Sequence, residues 1–381
     1  MDFNLSEEQN LIRQTVRDFA EREIKPLAKE LDESGKFSVE LTKKLGELGL
    51  FGMYLPEKYG GQGLDNLSYI IAVEEIARVD ASQAATLAAH NSLGIGPIYY
   101  YGTEEQKEKY LPKLCTGKSL WAFGLTEPDA GSDSRATKTS AKLEGGNWII
   151  NGSKIFITNG ASELSDGATV QTVSEITDGK KIFTTILVDK GTKGFQQIPM
   201  HDKMMWRASD TAELYFDNCR VPEENILGNV GQGSKIMLST LDNGRLSIGA
   251  MGLGLAQGAL DMAVQYSKER HQFGKPINKF QAVSFKLAEM ATKVELARNL
   301  LYKACWLKDS NKPFGKEAAM SKYYCSEIAK EVADDAVQIH GGYGLMKDYP
   351  IERFFRDQRI LQIGEGTSEI QKLVISRKIL Q

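Results

Sequence analysis

The stretch "QIGEGTSEIQK" (362–372) sets one carboxylate, Glu365, between two glycines just ahead of a helix start. Glycine leaves the backbone free and the approach uncrowded. Glu365 therefore reads either as a solvated turn residue or as a base that a substrate must approach closely. Ser368 and Gln371 form a capping-box pattern, which predicts a helix beginning directly after Glu365. The dipole of such a helix lowers a carboxylate pKa, whereas burial raises it, as a working base needs. Desolvation is expected to win once a bound substrate excludes water.

Two further stretches carry groups suited to a polar, flat ligand. "FGLTEPDAGSDSRA" (123–136) combines a turn proline, small residues, backbone amides and the Ser132 hydroxyl. Such a loop can wrap an anion without bulk, or be an ordinary turn cluster. In "KIFITNG" (154–160), Phe156 could pack on a flat ring and Thr158 could hydrogen-bond to it, although a strand Phe is commonly core. Two glycine clusters are decoys. "GNVGQGSK" (228–235) has its last two residues in the wrong order for a phosphate loop, and no buried strand precedes it. "GLGLAQG" (252–258) falls inside a helical run, where small residues serve close helix contacts. The four histidines (His90, His201, His271, His340) are scattered without ligand spacing, so no metal site is expected.

The elements that must position these groups fall into three stretches. Up to about residue 120, apolar residues recur at helical spacing. Ser6 and Gln9 form a capping box ahead of "LIRQTVRDFAEREIKPLAKEL"; "SVELTKKLGELGL", "SYIIAVEEIARVDAS" and "YGTEEQKEKYLPKLCTG" follow as helices. From Trp121 to about Val221 come short β-branched and aromatic runs broken by "GG", "DG" and "NG" turns, which predicts an antiparallel β unit. From Gly231 the helical period returns in three long runs and a short one. The expected fold class is α+β: an N-terminal all-α domain (1–120), a middle antiparallel β-barrel or sandwich (121–230) and a C-terminal four-helix bundle (231–381).

Composition narrows the partners. At 381 residues the chain exceeds one ordinary core. Its net charge of −3, without a basic block, argues against nucleic acid and membrane surfaces. The start, "MDFNLSEEQNLIRQ", has early charges and no apolar core, so it reads as neither a signal peptide nor a spanning helix, and no membrane insertion is expected. Four separated cysteines fit reduced thiols and a cytoplasmic location.

Taken in order, "TEPDAGSD", "KIFITNG", "ERHQFGKPINKFQ" (269–281), "QIHGGYG" (338–344) and "GEGTSEIQ" (364–371) resemble the acyl-CoA dehydrogenase family of flavoproteins over essentially the whole chain. The resemblance implies FAD as cofactor. It implies that Phe123, Leu125, Thr126, Gly131 and Ser132 line the flavin and that Phe156 and Thr158 flank its ring. Arg270, Gln272, Phe273 and Gln281 would reach the adenosine and pyrophosphate end from a neighbouring subunit, completed by Gln338 to Gly342, with Thr367 and Glu369 from the chain's end. A site shared in this way implies a homotetramer, as a dimer of dimers.

By the same resemblance the substrate is an acyl-CoA thioester, contacted by Ser132, Asp242, Arg245 and Gly366. Arg245 also has the plainer reading of a helix ion pair. Glu365 aligns with the catalytic base and its backbone N–H with a donor to the thioester oxygen. The reaction implied is α,β-dehydrogenation to the 2-enoyl-CoA, with electrons passed to electron-transferring flavoprotein. Three departures bear on the substrate. Gly244 occupies the position where some members carry the base, so Glu365 stands alone. Ala84 stands where decarboxylating glutaryl-CoA members have arginine, which disfavours a dicarboxylic acyl group. Gly364 replaces a tyrosine common in relatives, which opens volume for a short, branched or cyclic acyl group; Leu87, His90 and Leu93 are the further pocket candidates. An acyl-CoA oxidase and a non-catalytic binding relative are the alternatives.

Overall fold

The protein is described here by a computed structural model covering residues 4–381. Among the described residues seven α-helices come first: α1 (Glu7–Phe19), α2 (Ala28–Ser34), α3 (Val39–Glu47), α4 (Asn66–Ala77), α5 (Ala81–Ala89), α6 (Gly96–Tyr101) and α7 (Glu104–Leu114). The Ser6–Gln9 capping box is formed reciprocally. The run expected as one helix over "SYIIAVEEIARVDAS" breaks instead, because the Asp80 side chain accepts from Gln83 N–H and starts α5. Past α5 the helix widens to π geometry over His90–Ile95, a form that often marks functional positions. His90 fits the structural reading. It is fully buried, its Nε2 donates to the Leu114 carbonyl and its Nδ1 accepts from Trp121 N–H. Burial pushes its pKa down to about 4, so the ring is neutral.

The strands are β1 (Leu120–Gly124), β2 (Ser140–Glu144), β3 (Asn147–Thr158), β4 (Ser165–Thr177), β5 (Lys180–Asp189), β6 (Phe195–Pro199), β7 (Thr211–Pro222) and β8 (Ile226–Leu227). They make one sheet in the order β6-β7-β3-β2-β4-β5-β8, with β1 added to β4. The middle β unit is mainly antiparallel, as expected, with parallel pairing added at β4. β1 runs parallel to β4 over its whole length, and β2 touches β4 in parallel at Ser140–Val173. Turn pairs mark where strands end but not which strands become neighbours, and the β2–β3 hairpin serves as the crossover that parallel pairing needs.

The remaining elements are α8 (Gly233–Glu269), the hairpin β9 (His271–Gln272) and β10 (Lys275–Pro276), α9 (Gln281–Asp309), α10 (Gly315–His340), α11 (Ile351–Asp357) and α12 (Ser368–Ile379). α8 is long and apolar enough to cross a membrane, yet 78% of its apolar window is buried inside the fold, which makes it a core helix. Its glycines work as the sequence suggests. A Cβ on Gly252 would lie 2.7 Å from the Cys325 carbonyl oxygen of α10, and one on Gly258 would lie 2.2 Å from the Arg78 carbonyl oxygen at the end of α4. One apolar cluster therefore joins helices from both ends of the chain, from Val16 to Leu361, while the sheet keeps a core of its own.

Candidate active site

Glu365 sits in a short loop between a 3-10 turn (Gln358–Gln362) and α12. Its backbone is left-handed at φ 53°, followed by Gly366 at φ 92°. A non-glycine residue there costs about 1–2 kcal/mol, so neighbours must hold it. Gln371 Nε2 donates to the Glu365 and Gly366 carbonyls at 3.2 and 2.9 Å. Lys322 Nζ on α10 donates to the Gly366 carbonyl at 2.7 Å. One turn on, Ser326 donates to the Leu361 carbonyl, and Glu327 accepts from Gln362 Nε2 and Ser368 Oγ. α10 thus fastens both ends of the loop. The predicted Ser368–Gln371 capping box is not formed. Thr367 is the N-cap, accepting from Ile370 N–H, and Gln371 turns back to the loop instead.

The Glu365 side chain is half-buried, but its Oε2 is closed off without a hydrogen-bond partner. It rests directly on Gly244 of α8: a Cβ there would stand 1.9 Å from Oε2 and 3.2 Å from Leu93 Cδ2 in the π segment. Burial pushes the Glu365 pKa up to about 7, against the opposing pull of the Lys322 and Arg245 charges. Desolvation therefore prevails even without substrate. Beside it, Arg245 is buried and paired with Asp242 three residues earlier, the plainer of its two readings. At Gly364 a Cβ would meet only ordinary contacts, Ile360 atoms at 3.5–3.8 Å, so the space of a missing ring is not refilled by close packing.

The second group lies at the sheet end. Phe156 has φ 61° and is 65% exposed, in a bulge that breaks the β3–β7 register between Lys154 and Ile157. A strained backbone that thrusts an aromatic ring outward is costly unless something covers the ring. Behind it, a fully buried Lys154 pairs with Glu127 at 2.7 Å and donates to the Leu125 carbonyl at 3.2 Å. The Thr126 carbonyl accepts from Ile155 N–H at 3.0 Å, and Glu127 also takes the N–H groups of Lys138 and Thr139. The "TEPDAGSD" loop is thereby pinned to β3, leaving Gly131 and Ser132 exposed. Phe123 is buried one residue before the end of β1, and Thr158 is half-buried one residue before Asn159, whose Nδ2 donates to the Thr86 carbonyl of α5. α5 thus carries the contact to the sheet end at Thr86, and the π segment that follows it brings Leu93 to Gly244 beside Glu365.

The third group is remote. Arg270, Gln272, Gly342 and Tyr343 surround a cavity of about 510 Å³, and the Arg270 guanidinium lies over Tyr343. Phe273 is 92% exposed, and Gln281 and Gln338 are exposed without lining that cavity. Gly244 lies about a third of the way along α8 and Arg270 caps its C-terminus, 26 residues and so about 39 Å apart along the axis.

Comparison with known proteins decides the family. The N-terminal, middle and C-terminal domains of acyl-CoA dehydrogenase match residues 6–118, 122–219 and 231–380. The chain belongs to the acyl-CoA dehydrogenases. Butyryl-CoA dehydrogenase from Megasphaera elsdenii is 46% identical with a TM-score of 0.97, covering 100% of both chains. A chain solved in work on the electron transferring flavoprotein of Acidaminococcus fermentans and flavin-based electron bifurcation is 48% identical, again with TM-score 0.97 and full coverage of both. An acyl-CoA dehydrogenase complexed with FAD from Bacillus anthracis is 36% identical with TM-score 0.93, covering 99% of this chain and 67% of its own.

In this acyl-CoA dehydrogenase, an oxidoreductase, the first two groups are linked through α5 and the π segment after it, while the third stands about 39 Å along α8 from Gly244. Thr367 caps α12 and Glu369 is exposed on its first turn. Sequence reasoning missed Lys322 and the Lys154–Glu127 pair. Lys322 had a signal: it shares one helical stripe with Ala318, Cys325 and Ala329, all buried, so a lysine occupies an apolar position.

Proposed function

We propose that the chain dehydrogenates an acyl-CoA thioester at Cα and Cβ, with Glu365 as the base and FAD as the cofactor. The observation that carries this is the Glu365 carboxylate, held in a left-handed loop with Oε2 buried, unpartnered and poised near neutrality. An oxygen with no protein donor is free to take a proton. The α-proton passes to Oε2. The Glu365 N–H polarises the thioester oxygen, where negative charge develops. FAD, when bound, accepts the β-hydride. The residues present fit FAD: an outward Phe156, Thr158 and the anchored 125–132 loop for the ring, and the cavity at Arg270, Gln272 and Gly342 for an anionic end.

The 39 Å between Gly244 and Arg270 supports a site completed by a second copy of the chain, hence the homotetramer. Ser132, Asp242, Arg245 and Gly366 face the CoA side; the acyl group is short, branched or cyclic, with room left at Gly364. Division into domains at about residues 120 and 230, a cytoplasmic location and electron-transferring flavoprotein as acceptor complete the reading, the last supported by the Acidaminococcus likeness.

Anaerobic titration of the purified enzyme with short, branched, cyclic and long acyl-CoAs tests it by flavin bleaching. The best substrate should bleach wild type and leave Glu365→Gln oxidised. Equal bleaching rates would remove Glu365 from the role of base, and rapid peroxide release in air would favour an oxidase.

A further inference from the structure

Lys322 is among the largest fully buried side chains of the molecule. A buried ammonium is costly unless paired, yet its recorded hydrogen bond goes to a carbonyl, that of Gly366. The carboxylate nearest in its own helix, Glu327, spends both oxygens on Gln362 and Ser368. Arg245, the other cation of the site, is matched by Asp242. Lys322 is thus a cation without an ion-pair partner, beside a carboxylate whose Oε2 also has none.

We propose that Lys322 is the positioning residue of this site: from α10 its ammonium fixes the Gly366 carbonyl and supplies a positive charge that favours the ionised form of Glu365. The inference rests on reading Glu365 as the base. The geometry explains both functions. Gly366 continues the left-handed turn that begins at Glu365, and its carbonyl is gripped from two sides by Lys322 and Gln371. The charges facing Glu365 are Arg245 from α8 and Lys322 from α10, with the Tyr69 hydroxyl of α4 nearby; Lys322 in turn faces Glu365, Arg245, Glu327 and Glu369 of α12. Lys322 is the largest of the influences that oppose burial at Glu365, and burial draws its own pKa down to about 8.

The test follows flavin reduction by the FAD-loaded enzyme at saturating acyl-CoA between about pH 5 and 9. Lys322→Met and Lys322→Gln should raise the pKa that governs reduction by roughly 1 to 3 units, slowing it roughly five- to five-hundredfold at neutral pH with recovery toward alkaline pH. Lys322→Arg should keep the wild-type profile. Lys322→Gln retains a donor for the Gly366 carbonyl, so its FAD content and Tm should stay near wild type; it decides the matter if the Met variant does not fold. An unmoved pKa in the Gln variant, with Glu365→Gln inactive, overturns this inference alone. A fully active Glu365→Gln overturns the base assignment and the inference with it.

Discussion

Gly244→Ala separates what a helix wants from what the site needs. In an ordinary helix interior this change stabilises by about 0.5–1 kcal/mol, because glycine loses more backbone freedom on folding. At this position the new methyl would stand 1.9 Å from Glu365 Oε2 and 2.9 Å from its Cδ. A relaxed carbon–oxygen contact needs more than 3 Å, roughly, so the carboxylate must withdraw by more than about 1 Å. A displacement of that size at a reacting group costs roughly 10²-fold in rate. The expected outcome is a protein with FAD content and Tm at or slightly above wild type, and single-turnover flavin reduction slowed roughly 10²-fold. Glu365→Asp shortens the side chain and draws it away from the methyl. In the Gly244→Ala background it should cost far less than it does alone, a non-additivity expected for residues in contact. Reduction within about threefold of wild type in Gly244→Ala would refute the placement of the carboxylate on Gly244.

Two other outcomes follow from the same geometry. Phe156→Gly should relieve a left-handed backbone and raise the Tm of FAD-stripped protein, by about 1 kcal/mol of stability, while weakening FAD binding measured by fluorescence titration; unchanged FAD affinity would place the ring elsewhere. The Glu365 pKa in the folded protein lies above its ordinary value of 4.5, so the neutral carboxyl favours the fold below that value and the benefit is lost as pH rises through about 7. Glu365→Gln mimics the neutral form at every pH, so its Tm advantage over wild type should be absent in acid, grow as pH rises from 4.5 through about 7 and level off beyond, and a constant difference would contradict the burial argument.

Much of the architecture was legible along the chain because its signals are local. The helical period, the capping box at Ser6 and the turn-punctuated strands each depend on residues within a few positions of one another. The candidate base was legible too: a carboxylate between two glycines ahead of a helix is a local pattern, and Glu365 does occupy such a loop. What the chain's order could not show was pairing across distance. The parallel docking of β1 on β4 is decided by how the sheet closes on the helices, not by the strand residues themselves. The cap at Thr367 displaces the predicted one because Glu327 claims Ser368 and the loop carbonyls claim Gln371, partners that lie on another helix and in a strained turn.

The sequence by itself determined the order of helices, strands and helices, and the residue types able to do the chemistry, since propensity and composition act locally. Tertiary structure alone decided the state of those residues. The Glu365 carboxyl is buried on α8, which offers a glycine for it to rest on, while α10 brings a buried lysine to its loop. One effect is steric and the other electrostatic, both depend on distance in space, and the residues responsible stand 121 and 43 positions from Glu365 in the chain.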